Sequence, residues 1–140
     1  MSPSTHPAGH WPSEISAAQA NSGASAPQYP ERVRGQLTWV EGRPLEGGRN
    51  VVMIEDEDGT PRTLTPDGFN VRSRVYEYGG RSHVFFCVDG VWQLAFVNFS
   101  DQAVYLQDLE GGAAQRLTSD AEAGWRFADL QALPGGRGLI

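Results

Sequence analysis

Residues 69–80 read Phe-Asn-Val-Arg-Ser-Arg-Val-Tyr-Glu-Tyr-Gly-Gly, and the same strand-turn-strand plan is written once on each side of them. Upstream, Gln36-Leu37-Thr38-Trp39-Val40-Glu41 alternates apolar with polar residues, which predicts a half-buried strand. Asn50–Glu55 predicts a second strand, Asp58-Gly59 a turn, and Arg62-Thr63-Leu64-Thr65 a way out to Pro66. Downstream, Val84–Val88 runs into Asp89-Gly90, a strong hairpin signal. Val91–Val97 returns, Ser100-Asp101-Gln102 turns, and Val104–Leu109 forms the next strand before Gly111-Gly112 and Gln115-Arg116-Leu117-Thr118.

The two copies align with Val51-Val52-Met53 on Val104-Tyr105-Leu106, Gly59 on Gly112, and Leu64-Thr65 on Leu117-Thr118. A period of about 50 residues with about four strands per unit is the signature of β-propeller blades. Phe127–Ala132 and the turn Pro134-Gly135-Gly136 read as the opening of a third blade, with Leu139-Ile140 beginning its second strand. The fold class predicted is therefore all-β: a partial propeller of about two four-stranded blades plus the start of a third. Blades bury their faces against neighbours, so an incomplete ring leaves an apolar face and unpaired strand edges. That predicts a fragment, or a chain that self-associates through those edges.

Ahead of the strands, Ser16-Ala17-Ala18-Gln19 has the form of a capping box and predicts a short helix over 17–21. Residues 22–30 are rich in Ser, Ala, Pro and Gly and read as a linker. The chain thus divides into an N-terminal tail, helix and linker (1–30) and an incomplete propeller region (31–140).

Composition narrows the chemistry. Gly and Pro together number 26, fitting short strands joined by tight turns. All 11 basic residues are Arg, so Schiff-base chemistry and the phosphate-loop lysine are excluded together. A net charge of −6 argues against nucleic acid as a partner, because phosphate neutralisation needs clustered positive charge. The N-terminus has neither a basic start nor an apolar core, and no apolar run approaches the roughly 20 residues that span a bilayer. No membrane association and a cytoplasmic location are expected. Cys87 stands alone in an apolar strand, which predicts a buried, inert thiol.

At this point a resemblance emerges. Trp11–Ser16, Trp39–Arg49, Asn98–Gln102 and Arg116–Thr118, and above all Arg72-Ser73-Arg74-Val75-Tyr76-Glu77-Tyr78-Gly79-Gly80, resemble the N-terminal part of bacterial peptidases of the prolyl oligopeptidase family, family S9. The likeness is to the acylaminoacyl-peptidase or dipeptidyl-aminopeptidase kind and runs from about Trp11 to Ile140. It implies a propeller that gates access of peptide-sized substrates to an α/β-hydrolase domain. The family's Ser-Asp-His triad and Gly-x-Ser-x-Gly elbow belong to that C-terminal domain. None of the serines here lies in such an elbow, so the chain is expected to be silent in catalysis by itself, with peptide hydrolysis done elsewhere. Tyr76 departs from the family, which often carries histidine at that position.

Arg72, Arg74, Glu77 and Tyr78 are the candidate substrate-binding residues. On an alternating strand Arg72, Arg74 and Tyr76 share one face and Glu77 falls on the other. Such a strand at the hydrolase-facing end would offer Arg to a substrate carboxylate or Glu to an amine, and a structural ion pair is the competing reading. His6 and His10 have Pro7 and Gly9 between them, which spoils helical display of a metal pair. Glu55-Asp56-Glu57-Asp58-Gly59 lacks the order of a calcium loop and reads as a solvated hairpin tip. His83 opens an apolar strand with no acid near it in sequence, which predicts a satisfied structural histidine. Trp39, Trp92, Phe96 and Tyr105 are expected in the core. No catalytic residue, metal or cofactor is assigned. The alternative to a peptidase fragment is a stand-alone β-rich interaction module that self-assembles or binds a partner chain. An unrelated small β-sandwich leaves the internal duplication unexplained.

Overall fold

The computed structural model describes residues 14–21, 25–76, 80–119 and 124–140. Helix α1 (Ala17–Asn21) opens it, closed at its start by the expected reciprocal cap. The Ser16 amide donates to Gln19 Oε1 at 2.8 Å and the Gln19 amide donates to Ser16 Oγ at 3.1 Å. No described helix is long and apolar enough to cross a membrane.

Among the described residues eight strands follow, in two antiparallel sheets of four. The first contains β1 (Gln28–Val33), β2 (Gln36–Arg43), β3 (Arg49–Glu55) and β4 (Pro61–Thr63) in sequence order. The second repeats the order with β5 (His83–Val88), β6 (Val91–Val97), β7 (Val104–Asp108) and β8 (Gln115–Arg116). Beyond them Ala132 bridges Leu139 around the turn at Pro134–Gly136, as the start of a third unit requires. The all-β blade reading holds.

Each unit turns its first corner in the same way. Arg34-Gly35 and Asp89-Gly90 both take positive φ at the two central residues (56° and 85°; 50° and 83°). That is the turn whose twist matches a right-handed hairpin. Each unit also closes its last hairpin on a Leu-Thr pair. The Leu64 amide donates to the Val52 carbonyl, and the Leu117 amide to the Val104 carbonyl, both at 2.8 Å. In return the Val52 amide donates to Thr65 Oγ1 at 2.8 Å and the Val104 amide to Thr118 Oγ1 at 3.1 Å.

Three sequence expectations change. Strand β1 begins at Gln28, inside the stretch read as linker, because Pro30 is accommodated by an irregularity between Gln28 and Glu31 on an edge strand. Val52, rather than Val51, is the counterpart of Val104, since the second unit's last hairpin is one residue longer. Cys87 is exposed, not buried: it lies near the end of edge strand β5, close to the Asp89-Gly90 turn.

The main core lies between the sheets. Val33, Val40, Val52, Ile54, Leu64 and Val71 meet Leu94, Phe96 and Leu109. Phe69 packs edge-on against Phe96 (5.4 Å) and Tyr105 (4.8 Å), while Phe96 and Tyr105 stack at 5.9 Å. A second cluster, Ala95, Val97 and Val104 with Leu130, covers the far face of the second sheet using Phe127 and Leu139 of the third unit. Polar side chains stitch the units together through main-chain oxygens. Gln107 Nε2 donates to the Leu64 carbonyl at 2.8 Å, and an Arg62 guanidinium nitrogen donates to the Leu109 carbonyl at 3.2 Å.

Candidate functional site at the inter-blade crossing

Residues 64–82 carry the chain from the outer strand of the first blade to the first strand of the second. A ladder of asparagines fixes the crossing. The Asn50 amide donates to Asn70 Oδ1 at 3.0 Å, and the Asn70 amide donates to Asn98 Oδ1 at 3.1 Å. Next, the Val71 amide donates to the Asn50 carbonyl (2.9 Å) and the Arg72 amide to the Val97 carbonyl (3.2 Å). Residues 72–76 form no strand, since only Val71 bridges, to Asn98. The alternation predicted from sequence survives all the same: Arg72, Arg74 and Tyr76 are exposed and Ser73 is buried. Ser73 is held down by its hydroxyl, which donates to the Phe127 carbonyl of the third unit.

Arg72 and Arg74 converge on one aromatic ring. Their guanidinium carbons stand 5.3 Å and 4.2 Å from the Phe99 centroid, the geometry of cation–π contact. One buried side chain sets both partners. Gln102 Oε1 accepts the Arg74 amide at 2.7 Å, and Gln102 Nε2 donates to the Phe99 carbonyl at 2.9 Å. Gln102 itself sits at φ 57°, ending the β6–β7 loop. Neither Arg72 nor Arg74 has an acidic partner among the described residues, whereas Arg34, Arg43, Arg49, Arg62 and Arg81 are all ion-paired. Glu77 and Tyr78, the other two candidates, lie outside the described residues. Phe99 and Gln102 were not singled out as site residues from sequence; their signals there were the turn at Ser100-Asp101-Gln102 and the place of Asn98–Gln102 in the family resemblance.

Beside Arg72 opens a polar pocket of about 280 Å³ lined by Gln28, Tyr29, Asn50, Gly80 and Ser82 among others. Close to it, Glu31 on β1 pairs with Arg81, and His83 Nε2 lies 3.5 Å from Glu31 Oε1. His83 is buried as expected, and among the described residues its ring nitrogens make no hydrogen bond shorter than the 3.5 Å contact with Glu31. The acid missing from its local sequence arrives from the other sheet. Burial pushes the His83 imidazole below its ordinary value, and the Arg81 guanidinium adds to this against the opposing pull of Glu31. Contact with His83, aided by Arg81, holds the Glu31 carboxyl low. At the opposite end of the blades the Glu55–Gly59 stretch forms the solvated hairpin tip expected, with Asp56 paired to Arg62 and Asp58 Oδ1 accepting the Thr60 amide. Phe96 is fully buried, and Trp92 and Tyr105 pack against the inter-sheet core; Trp39 donates to Glu41 Oε2 at 3.3 Å.

Successive four-stranded antiparallel blades, joined end to end by crossings that carry exposed polar groups, define a propeller segment. Known structures then say whose. A puromycin-hydrolyzing peptidase of Mycobacterium tuberculosis matches over 98% of this chain at 32% identity and a TM-score of 0.80. A puromycin hydrolase matches over 97% at 33% identity and 0.78, and its serine-to-alanine mutant complexed with PGG over 93% at 34% and 0.76. The chain spans about a fifth of the length of these proteins (21%, 22% and 21%). No family model and no curated protein matches it. The chain matches the N-terminal propeller region of an S9-family peptidase, and the resemblance drawn from residues 69–80 holds.

Proposed function

We propose that this chain is the substrate-gating propeller portion of a cytoplasmic S9 serine peptidase whose hydrolase domain is not among these residues. Agreement with puromycin-hydrolysing peptidases across nearly the whole chain, at about a fifth of their length, is the observation that supports it. Puromycin joins an aminoacyl group to an aminonucleoside through an amide, so the bond class proposed is an aminoacyl or peptidyl amide. The residues from Gln28 onward supply the propeller part, with a leading segment ahead of them. Arg72 and Arg74 sit on the crossing at the end proposed to meet substrate, and Glu77 and Tyr78, which follow them in sequence, complete the proposed set. No cofactor enters the reading.

The test compares the 140-residue chain with a longer product of the same gene, on puromycin and on aminoacyl and acyl-aminoacyl chromogenic substrates. Turnover by the longer protein, blocked by a serine-directed covalent inhibitor, and none by the chain alone is expected. Turnover by the chain alone, or none by the longer protein on every substrate, overturns the proposal.

One observation favours a second reading, self-association. An apolar groove of about 580 Å³ opens on the far face of the second sheet between Phe86, Val88, Leu106, Phe127, Leu130 and Leu139. A single oligomer of fixed size by light scattering supports a module that assembles; a monomer across the concentration range rejects it.

A further inference from the structure

We infer that Arg72 and Arg74, gathered over Phe99, form a docking site for the C-terminal carboxylate of a short peptide. The inference rests on the peptidase reading above and names the substrate group that this crossing recognises.

Four observations carry it. First, the two guanidinium groups are exposed and lack acidic partners among the described residues, in a chain of net charge −6 where five other arginines are ion-paired. Guanidinium groups without an acidic partner among the described residues are able to receive an anion from outside. Second, the pair is pre-organised. The Phe99 ring holds both heads, and the backbone beneath is pinned at Arg72 by Val97 and at Arg74 by Gln102. Less side-chain freedom is therefore lost when a ligand arrives. Third, the chemistry fits a planar oxyanion: guanidinium forks match carboxylate geometry with two parallel N–H···O bonds. Fourth, Arg72 also lines the polar pocket that holds Gln28, Tyr29, Asn50 and Ser82, which gives a peptide backbone amide and hydroxyl partners next to the anion site. An amine terminus would be repelled by the same pair.

The experiment uses the 140-residue chain and follows the arginine Nε–Hε signals by NMR. The probes are the tripeptide Ala-Ala-Phe as free acid, the same peptide as its C-terminal amide, and inorganic phosphate. The free acid is expected to shift Arg72 and Arg74 and to bind roughly tenfold tighter than the amide, as loss of a charge-assisted pair implies. Arg74→Gln and Arg72→Gln are each expected to weaken the acid about tenfold. Arg126→Gln, on an exposed residue that donates to its neighbour's carbonyl, is expected to leave binding unchanged. Gln102→Ala, which frees Phe99 and Arg74, is expected to weaken binding while both guanidinium groups remain. Equal binding of acid and amide overturns the inference. So does phosphate binding as tightly as the peptide, or the absence of any shift. If the longer protein cleaves peptides while these signals stay silent, the site falls and the peptidase reading stands. If the signals respond and the longer protein cleaves nothing, the site stands alone.

Discussion

Replacing Thr65 with valine keeps the side chain's shape and deletes one hydroxyl. In the first blade that hydroxyl accepts the Val52 amide at 2.8 Å, with Val52 fully buried and Thr65 only 3% exposed. No water reaches the amide to replace it, so the substitution leaves a buried donor unpaired. Such a loss costs about 1–3 kcal/mol. The second blade supplies an internal control. Thr118 accepts the Val104 amide at 3.1 Å, a longer bond from a side chain less buried than Thr65. Thr118→Val is then expected to cost about 0.5–1 kcal/mol, the net worth of an ordinary hydrogen bond. Urea unfolding followed by circular dichroism measures both, with an unchanged slope m showing that only stability moved. Thr65→Ser restores the hydroxyl and should recover most of the loss. If Thr118→Val proves as costly as Thr65→Val, or if Thr65→Ser is no better than valine, the Leu-Thr closure does not stabilise the blade in the way described.

Three further outcomes follow from other parts of the fold. His83 titrates below its ordinary 6.5 when folded, so below that pH the unfolded chain takes up a proton that the folded chain refuses. Stability is therefore present above pH 6.5 and lost as pH falls through it; His83→Phe, facing Glu31 and Arg81, should flatten this slope in urea midpoints, and an unaltered slope refutes the assignment. Gly136 has φ 66° and a Cβ there would lie 2.4 Å from Val88 Cγ2, so Gly136→Ala should cost about 1–3 kcal/mol. Gly47→Ala, with open space at φ 68°, carries only the backbone strain and should cost less. Because Cys87 is exposed, a thiol reagent should modify the native chain about as fast as the urea-unfolded chain; strong native protection contradicts it.

Local periodicity carried much of this fold. Alternation over 36–41, the Asp89-Gly90 turn and the Ser16–Gln19 box each act within a few residues, so the sequence displays them directly. Strand β1 was hidden because its partner, β2, supplies the register that Gln28-Tyr29-Pro30 lacks by itself. Pairing across sheets was equally invisible. Glu31 meets His83 only after two blades stack, and Gln102 reaches Arg74 only after the crossing folds over the β6–β7 loop. For Cys87 the local apolar run was misleading, since the run lies on an edge strand, a position set by the sheet order and not by the local residues. Arg72 and Arg74 were legible as residues that face one way, while the ring that gathers them was not.

The cross-links from Gln107 to the Leu64 carbonyl and from Arg62 to the Leu109 carbonyl impose a lopsided rule on descent. Every amino acid carries a carbonyl, so positions 64 and 109 can drift through many apolar residues without losing the tie. Positions 62 and 107 have no such liberty, because only a long donor reaches across. Divergent copies of this module should therefore keep the reach of one partner and scramble the other, so that residues in direct touch show little correlated change.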